Sequence, residues 1–207
     1  MKEEHSKQVL NAKRWNNRAK NYDKPMYNFF RFMQKKVISL LELDGNVRML
    51  DIGCGTGWAV RYASQLCTEN GEFYGLDISP IMIEKAKENS LGYKNVYFIN
   101  ADSETMPFED NFFNFIICTN SFHHYENPIK VLNEIYRILT PNGKIYIMDP
   151  SADNTIIKIL DSIVRRREAA HVKFYNTKEY KAFFEKSNIK YIESKTAFLE
   201  KIQIGQK

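Results

Sequence analysis

The chain has 207 residues, of which 43% are hydrophobic, and its 30 lysines and arginines against 25 aspartates and glutamates give a formal charge of +5. That is the make-up of an ordinary globular protein long enough to bury one core, and it excludes a disordered, collagen-like or disulfide-stapled chain. The modest charge, with cations interleaved among nearly as many carboxylates, argues only weakly for a nucleic-acid partner.

Cys54, Cys67 and Cys118 lie far apart and form no CxxC pair, so neither a disulfide framework nor a zinc site is expected, and a reducing cytoplasm fits best. The opening MKEEHSKQVL has no apolar run behind its charges, and the longest apolar stretch, Phe112 to Cys118, is only strand length. No signal peptide and no membrane span are expected.

Residues 1–44 are polar, basic and aromatic, with helical spacing such as Tyr27, Phe30, Met33 and Val37, and read as an N-terminal helical arm. From Val47 the pattern becomes strand, glycine turn and helix: NVRMLDIGCG, a helix from about Trp58 to Glu69, then EFYGLDIS and a helix from Pro80 to about Asn89. This is βαβ organisation, with Ser79 as N-cap and Pro80 in the first turn, where a missing N–H costs nothing. VYFINAD and FFNFIICTN follow, apolar on both faces as central parallel strands are. PIKVLNEIYRIL puts Ile129, Leu132, Ile135, Tyr136 and Leu139 on one helical face, and TPNG stops it before the strand KIYIMD. Past Pro150 come a helical stretch through Arg167, a second helix from near Thr177, and two strand-like runs, IKYIES and FLEKIQIG, close enough to pair as a hairpin.

The densest chemical signal is Asp51-Ile-Gly53-Cys-Gly55-Thr-Gly57, at the end of a strand and the start of a helix. Glycines there let the backbone turn sharply and approach a ligand, and free N–H groups at the helix start favour an anionic group. The nicotinamide fingerprint G-x-G-x-x-G would need glycine where Trp58 stands, which argues against a dinucleotide. Asp77 ends the second strand, where an acid can accept from both hydroxyls of a ribose. Asp102 follows the third strand and His123 and His124 the fourth. Singly, each aspartate reads as a cap or loop acid; three acids after successive strands, in order, read as a nucleoside site.

The run DIGCGTG, with an acid two residues before its first glycine, resembles the first motif of the class I S-adenosylmethionine-dependent methyltransferases. WNNRAKNYD and ADSETMPFEDNFFNFIICTNSFHHYENPIKVLNEIYRILTPNGKIYIMD extend the resemblance from about Trp15 to Asp149. The chain is most similar to the branch that includes the ubiquinone and menaquinone C-methyltransferases and many small-molecule methyltransferases. The resemblance implies a Rossmann-like α/β fold: a seven-stranded, mostly parallel sheet with helices on both faces and one antiparallel strand near the C-terminus. It implies residues 1–44 as arm or lid and 45–207 as the methyltransferase domain. S-adenosylmethionine, leaving as S-adenosylhomocysteine, would be held by Tyr22, Asp51, Gly53, Cys54, Gly55, Gly57, Asp77, Ile78, Ala101, Asp102, Ser103 and Asn120. Tyr22 would close over the methionine end and Asp102 would meet the adenine edge.

Either His123 or His124 could serve as general base beside the sulfonium, one facing the pocket and the other structural. Adjacent histidines on an extended segment point to opposite sides and no third ligand has suitable spacing, so no metal is expected. The run Arg165, Arg166 and Arg167 reads as a solvated helix face, with a phosphate-bearing substrate as the sharper alternative. After the fourth strand the chain reads Asn120-Ser-Phe-His rather than the Asn-Pro-Pro-aromatic motif of many base-modifying relatives, which favours a small-molecule acceptor. An RNA methyltransferase and a module that binds the cofactor without turnover stay open beside it.

Overall fold

Uninterrupted apolar runs in this chain become parallel strands because both of their faces are covered. The computed structural model describes residues 7–18, 28–67, 70–167 and 171–207; Tyr22 lies outside them. Helices α1 (Lys7–Arg18) and α2 (Asn28–Ile38) precede an alternating series: β1 (Arg48–Ile52), α3 (Trp58–Leu66), β2 (Glu72–Asp77), α4 (Pro80–Glu88) and β3 (Val96–Asn100). Next come β4 (Phe113–Thr119), a 3-10 turn (Phe122–His124), α5 (Pro128–Ile138), β5 (Leu139–Pro150), α6 (Thr155–Arg167), α7 (Thr177–Lys186), β6 (Lys190–Ala197) and β7 (Glu200–Gln206).

The seven strands form one sheet in the order β3-β2-β1-β4-β5-β7-β6. The first five are mutually parallel, β7 runs antiparallel to β5, and β6 runs antiparallel to β7. The expected Rossmann-like sheet with one reversed strand near the C-terminus is the sheet observed. Strand order reverses between β1 and β4, and ligands of such sheets bind at the carboxyl ends of the strands flanking that point.

Side chains alternate across the sheet, so each strand feeds two cores. Met49, Phe73, Phe98, Phe115, Ile117 and Met148 meet α2, α3 and α4 through Val37, Val60, Ala63, Ile83 and Ala86. Leu50, Ile52, Ile116, Ile145 and Ile147 face the other way, onto Leu132 and Ile135 of α5 and Tyr180 and Phe184 of α7. The edges differ. On β3 only Phe98 is fully buried and Tyr97 is 41% exposed, whereas β6 presents Lys190, Glu193 and Lys195 to solvent.

Several local expectations shift by small amounts. Helix α3 ends at Leu66 rather than near Glu69, capped at Cys67, whose N–H reaches the Ala63 carbonyl. Helix α4 starts where expected, with the Ser79 hydroxyl accepting from the Met82 N–H and Pro80 in the first turn. Helix α5 buries Val131, Leu132, Ile135 and Ile138, while Ile129 and Tyr136 are only partly covered. TPNG does end that helix, but it is not a free loop. It bulges from the start of β5, whose register against β4 jumps from Phe113↔Leu139 to Phe115↔Lys144.

The loop from Ala101 to Phe112 carries site residues and is held by one guanidinium. Arg137 on α5 donates to the carbonyls of Phe108 (2.7 Å) and Met106 (3.0 Å), to Asp110 (2.9 Å) and to both oxygens of Glu134. Glu134 in turn accepts from the Met106 N–H at 2.8 Å, and its carboxyl is held below the usual range first by the Arg137 hydrogen bonds. Hydrogen bonds to a charged group each contribute about 1.5–3 kcal/mol. Arg137→Met is therefore expected to lower the unfolding free energy by about 2 kcal/mol. An unchanged urea midpoint would show that the aromatic cluster around Phe113 holds the loop instead.

Candidate active site

The first glycine turn owes its shape to contacts that leave no room for a side chain. Gly53 has φ +76°, and a Cβ there would lie 2.2 Å from the Ser121 hydroxyl oxygen; Gly57 has φ +77°, and its Cβ would meet the Phe98 ring at 2.5 Å. Positive φ costs other residues about 1–2 kcal/mol. The turn is thus pressed against the segment after β4 on one side and against β3 on the other. The N–H groups of Gly53 and Cys54 both donate to the Leu76 carbonyl, stitching the turn to β2.

Asp77 completes that stitching. One of its carboxylate oxygens accepts from the Gly55 N–H at 2.9 Å and the other from the Ser79 N–H at 2.8 Å. Burial raises its pKa to about 6, against the lowering effect of those two donors. Asp51, at the end of β1, is fully buried, and neither of its carboxylate oxygens has a hydrogen-bond partner among the described residues. Burial, then the nearby Asp77, lifts its pKa to about 8. Glu200 on β7 is raised to about 7 by burial and by Asp149, against its contact with the Asn120 amide at 3.4 Å. Buried carboxyl groups thus collect at the ends of β1, β2 and β5 and the start of β7.

In front of them opens a cavity of about 740 Å³, counting its mouth. Gly53, Gly55, Asp77, Ile78, Ala101, Asp102, Ser103, Asn120 and His124 line it. Asp51, Cys54, Gly57 and His123 do not: Asp51 and Cys54 lie behind the turn, and Gly57 faces Phe98. Asp102 accepts from the Glu104 N–H at 2.9 Å, which fixes the loop after β3. Asn120 has φ +54° and donates its N–H to the Met148 carbonyl at 2.8 Å.

Sequence reasoning missed part of the wall. Met82, one turn into α4, and Ser121 and Tyr125, after β4, also line the cavity. Their nearness in sequence to Asp77 and Asn120 was the available signal. The Tyr125 hydroxyl contacts the Ser121 hydroxyl at 3.0 Å and the Cys118 sulfur at 3.7 Å. Trp15 of α1 closes one side, its ring edge-on to His124 at 5.7 Å. That helix docks on α4 through Asn16, which accepts from the Ser79 hydroxyl at 2.5 Å.

The two adjacent histidines do not point to opposite sides. They lie on a 3-10 turn rather than an extended segment, and their ring centroids are 4.0 Å apart. His123 contacts Asp149 twice at 2.9 Å, through its backbone N–H and through Nδ1. Burial drives the His123 pKa down to about 3, and burial also lifts that of Asp149 well above the usual carboxylate range. Arg165 reaches the Val172 carbonyl at 2.9 Å and pairs with Asp161 at 3.9 Å, while Arg166 and Arg167 are exposed.

A family model described as a methyltransferase domain matches residues 43–197. An uncharacterized methyltransferase, YcgJ of Bacillus subtilis, is 28% identical over 159 residues, covering 75% of this chain and 62% of its own length. A demethylmenaquinone methyltransferase of Staphylococcus aureus is 30% identical over 141 residues, covering 65% of this chain and 58% of its own. The chain thus spans about three fifths of the length of these curated relatives. In fold it is similar to a SAM-dependent methyltransferase from Aquifex aeolicus, with a TM-score of 0.75 at 24% identity over 92% of this chain and 97% of that one. Matched over most of its length, the chain belongs to the methyltransferase-domain family.

Proposed function

We propose that the chain is an S-adenosylmethionine-dependent methyltransferase that methylates a small molecule by in-line transfer. One observation carries the cofactor reading: buried acids gather at the strand ends behind the cavity, and the orphaned Asp51 carboxylate is among them. Such a site disfavours an anionic dinucleotide and favours a ligand with an ammonium and a sulfonium. When bound, the cofactor supplies a methyl group on sulfur that is already activated for displacement.

Each side chain then has a task that follows from its place. Asp77, with both oxygens already fixed by backbone N–H groups, keeps lone pairs for the two ribose hydroxyls. Asp102 and Ser103 flank the purine end, and Asp51 compensates the ammonium from behind the glycine turn. His124 faces the cavity and would anchor or deprotonate the acceptor, while His123 is committed to Asp149. Trp15 and His124 wall off water from the reacting end. The aromatic rings in the cavity wall and the demethylmenaquinone methyltransferase among the relatives support a small acceptor.

Binding of S-adenosylhomocysteine, measured by calorimetry, should weaken about ten- to a hundredfold in Asp77→Asn, the scale of losing hydrogen bonds to a charged acceptor. No binding by the wild type, or preference for a nicotinamide dinucleotide, would defeat the assignment.

The pH dependence has a definite sign. Ribose hydroxyls stabilise ionised Asp77, so ligand lowers its pKa below the value of about 6 in the free chain, and binding releases a proton. Affinity is expected to fall as pH drops below about 6, by at most about tenfold per pH unit, and Asp77→Asn should abolish that step. A flat profile in the wild type from pH 5 to 7 would remove Asp77 from the ligand contacts.

We also propose that α1 acts as a lid. None of its described side chains from Ala12 to Asn17 is fully buried, and it meets the walls of the cavity through Asn16 on Ser79 and Trp15 on His124. Hydrogen exchange should show peptides of residues 7–18 gaining protection with S-adenosylhomocysteine while β1 and β4 barely change. Equal protection in both states would make α1 a fixed element.

A further inference from the structure

His123, His124 and His171 converge beside the cavity, although His171 lies 47 positions beyond His124. One ring nitrogen of each lies within 4.8 Å of those of the other two. The ring centroids of His171 are 5.4 Å from His123 and 6.2 Å from His124. The backbone holds the convergence in place: the N–H groups of Val172 and Lys173 both donate to the His123 carbonyl, at 3.1 and 3.3 Å. Two of the rings are oriented by a buried carboxylate. His123 Nδ1 meets Asp149 at 2.9 Å, and His171 Nε2 meets Asp161 of α6 at 2.8 Å. Asp149 is itself held by the His123 backbone N–H, and Asp161 accepts from the Phe174 N–H at 2.8 Å.

We propose that His123, His124 and His171 form a site for a divalent first-row transition ion such as Zn²⁺, with its remaining coordination position toward the cavity. Three imidazoles with one open position are a donor set for a catalytic rather than a purely structural ion, and a carboxylate on the far nitrogen of a ligating ring fixes its tautomer and raises its basicity. With Asp149 on Nδ1 of His123 and Asp161 on Nε2 of His171, the nitrogens left for an ion are Nε2 of His123 and Nδ1 of His171. Tetrahedral coordination at zinc–nitrogen distances near 2.05 Å needs nitrogens about 3.3 Å apart, so the rings must close by about an ångström or less each. Asp149 and Asp161 are the acids in contact with two of the rings, and the cations nearby are Arg14, beside His123, and Arg165, 3.9 Å from Asp161.

The ion's role rests on the methyl-transfer reading, whereas the site itself does not. Because His124 lines the cavity, the open position would take the heteroatom of a hydroxyl or thiol acceptor. Coordination would release that acceptor's proton to water. The freed electron pair then forms the bond to the methyl carbon as the carbon–sulfur bond breaks, its electrons staying on the sulfur, and the ion remains divalent throughout.

The test uses the full chain, free of any histidine tag and stripped with a chelator. Zn²⁺ is titrated in competition with a chromophoric chelator, and Co²⁺ is followed by its visible absorption. One equivalent of each should bind, with the intense bands of a low-coordinate Co²⁺ site. His171→Gln should abolish this, and Asp161→Asn should weaken it by about ten- to a hundredfold. Both variants should still bind S-adenosylhomocysteine, which shows that they fold and separates this outcome from the cofactor reading. Absence of stoichiometric metal binding by a wild type that binds S-adenosylhomocysteine would overturn the site, as would unchanged zinc affinity in folded His171→Gln. Metal binding without S-adenosylhomocysteine binding would keep the site and overturn the methyl-transfer reading instead.

Discussion

A single carboxylate ties the working end of this molecule together. Asp77 accepts from the Gly55 N–H with one oxygen and from the Ser79 N–H with the other, so the turn after β1 and the first residue of the next helical cap hang from the tip of β2. Two backbone donors that would otherwise face a cavity are satisfied, and the acid's remaining lone pairs are aimed outward. Everything around the turn is fitted to that distance. Gly53 has no space for a Cβ against Ser121, and the Ser79 hydroxyl caps α4 while donating to Asn16 of α1. The same acid thus organises the cavity and links it to the N-terminal helix.

The price of that arrangement is electrostatic. Asp51, Asp77 and Glu200 are all pushed upward by burial, to about 8, 6 and 7, so each resists ionisation in the empty chain. A raised acid pKa in the folded state means stability that is present at low pH and is lost as pH rises toward that value. A cationic ligand reverses the effect by compensating the ionised carboxylates, and its binding energy becomes folding stability. On the proposed function, site and fold are not separable in this chain: the groups proposed to select the ligand are those whose burial strains the protein.

Much of this was legible in the linear sequence, for identifiable reasons. Strand tips are set by the switch from apolar runs to glycine and acid, so the places of Asp51, Asp77 and Asp102 at the ends of successive strands are readable in the linear chain. Ser79-Pro80 announced a helix start because capping is local chemistry. What was not legible depended on backbone shape or on distance along the chain. The path of Phe122–His124 as a 3-10 turn decides where two rings point, and that turn carries no glycine or proline signal. His171 reaches the same place through a distant segment, whose Val172 and Lys173 N–H groups bond to the His123 carbonyl. The TPNG bulge likewise depends on β4 pairing with residues on both sides of it. Trp15 was visible as an aromatic at helical spacing, but the face it packs against is a tertiary fact.

The unequal edges of the sheet have a bearing on self-association. β6 exposes Lys190, Glu193 and Lys195, and bringing a second strand alongside it would force charges together. β3 has no charged residue at all in Val96–Asn100 and leaves Tyr97 in water. An uncharged, partly apolar edge is an open template for hydrogen bonding to another chain, while charges on an edge blunt it. Of the two edges, β3 is therefore the one that offers another chain an uncharged strand, and a lysine at an outward-facing position there would blunt it as the charges on β6 do.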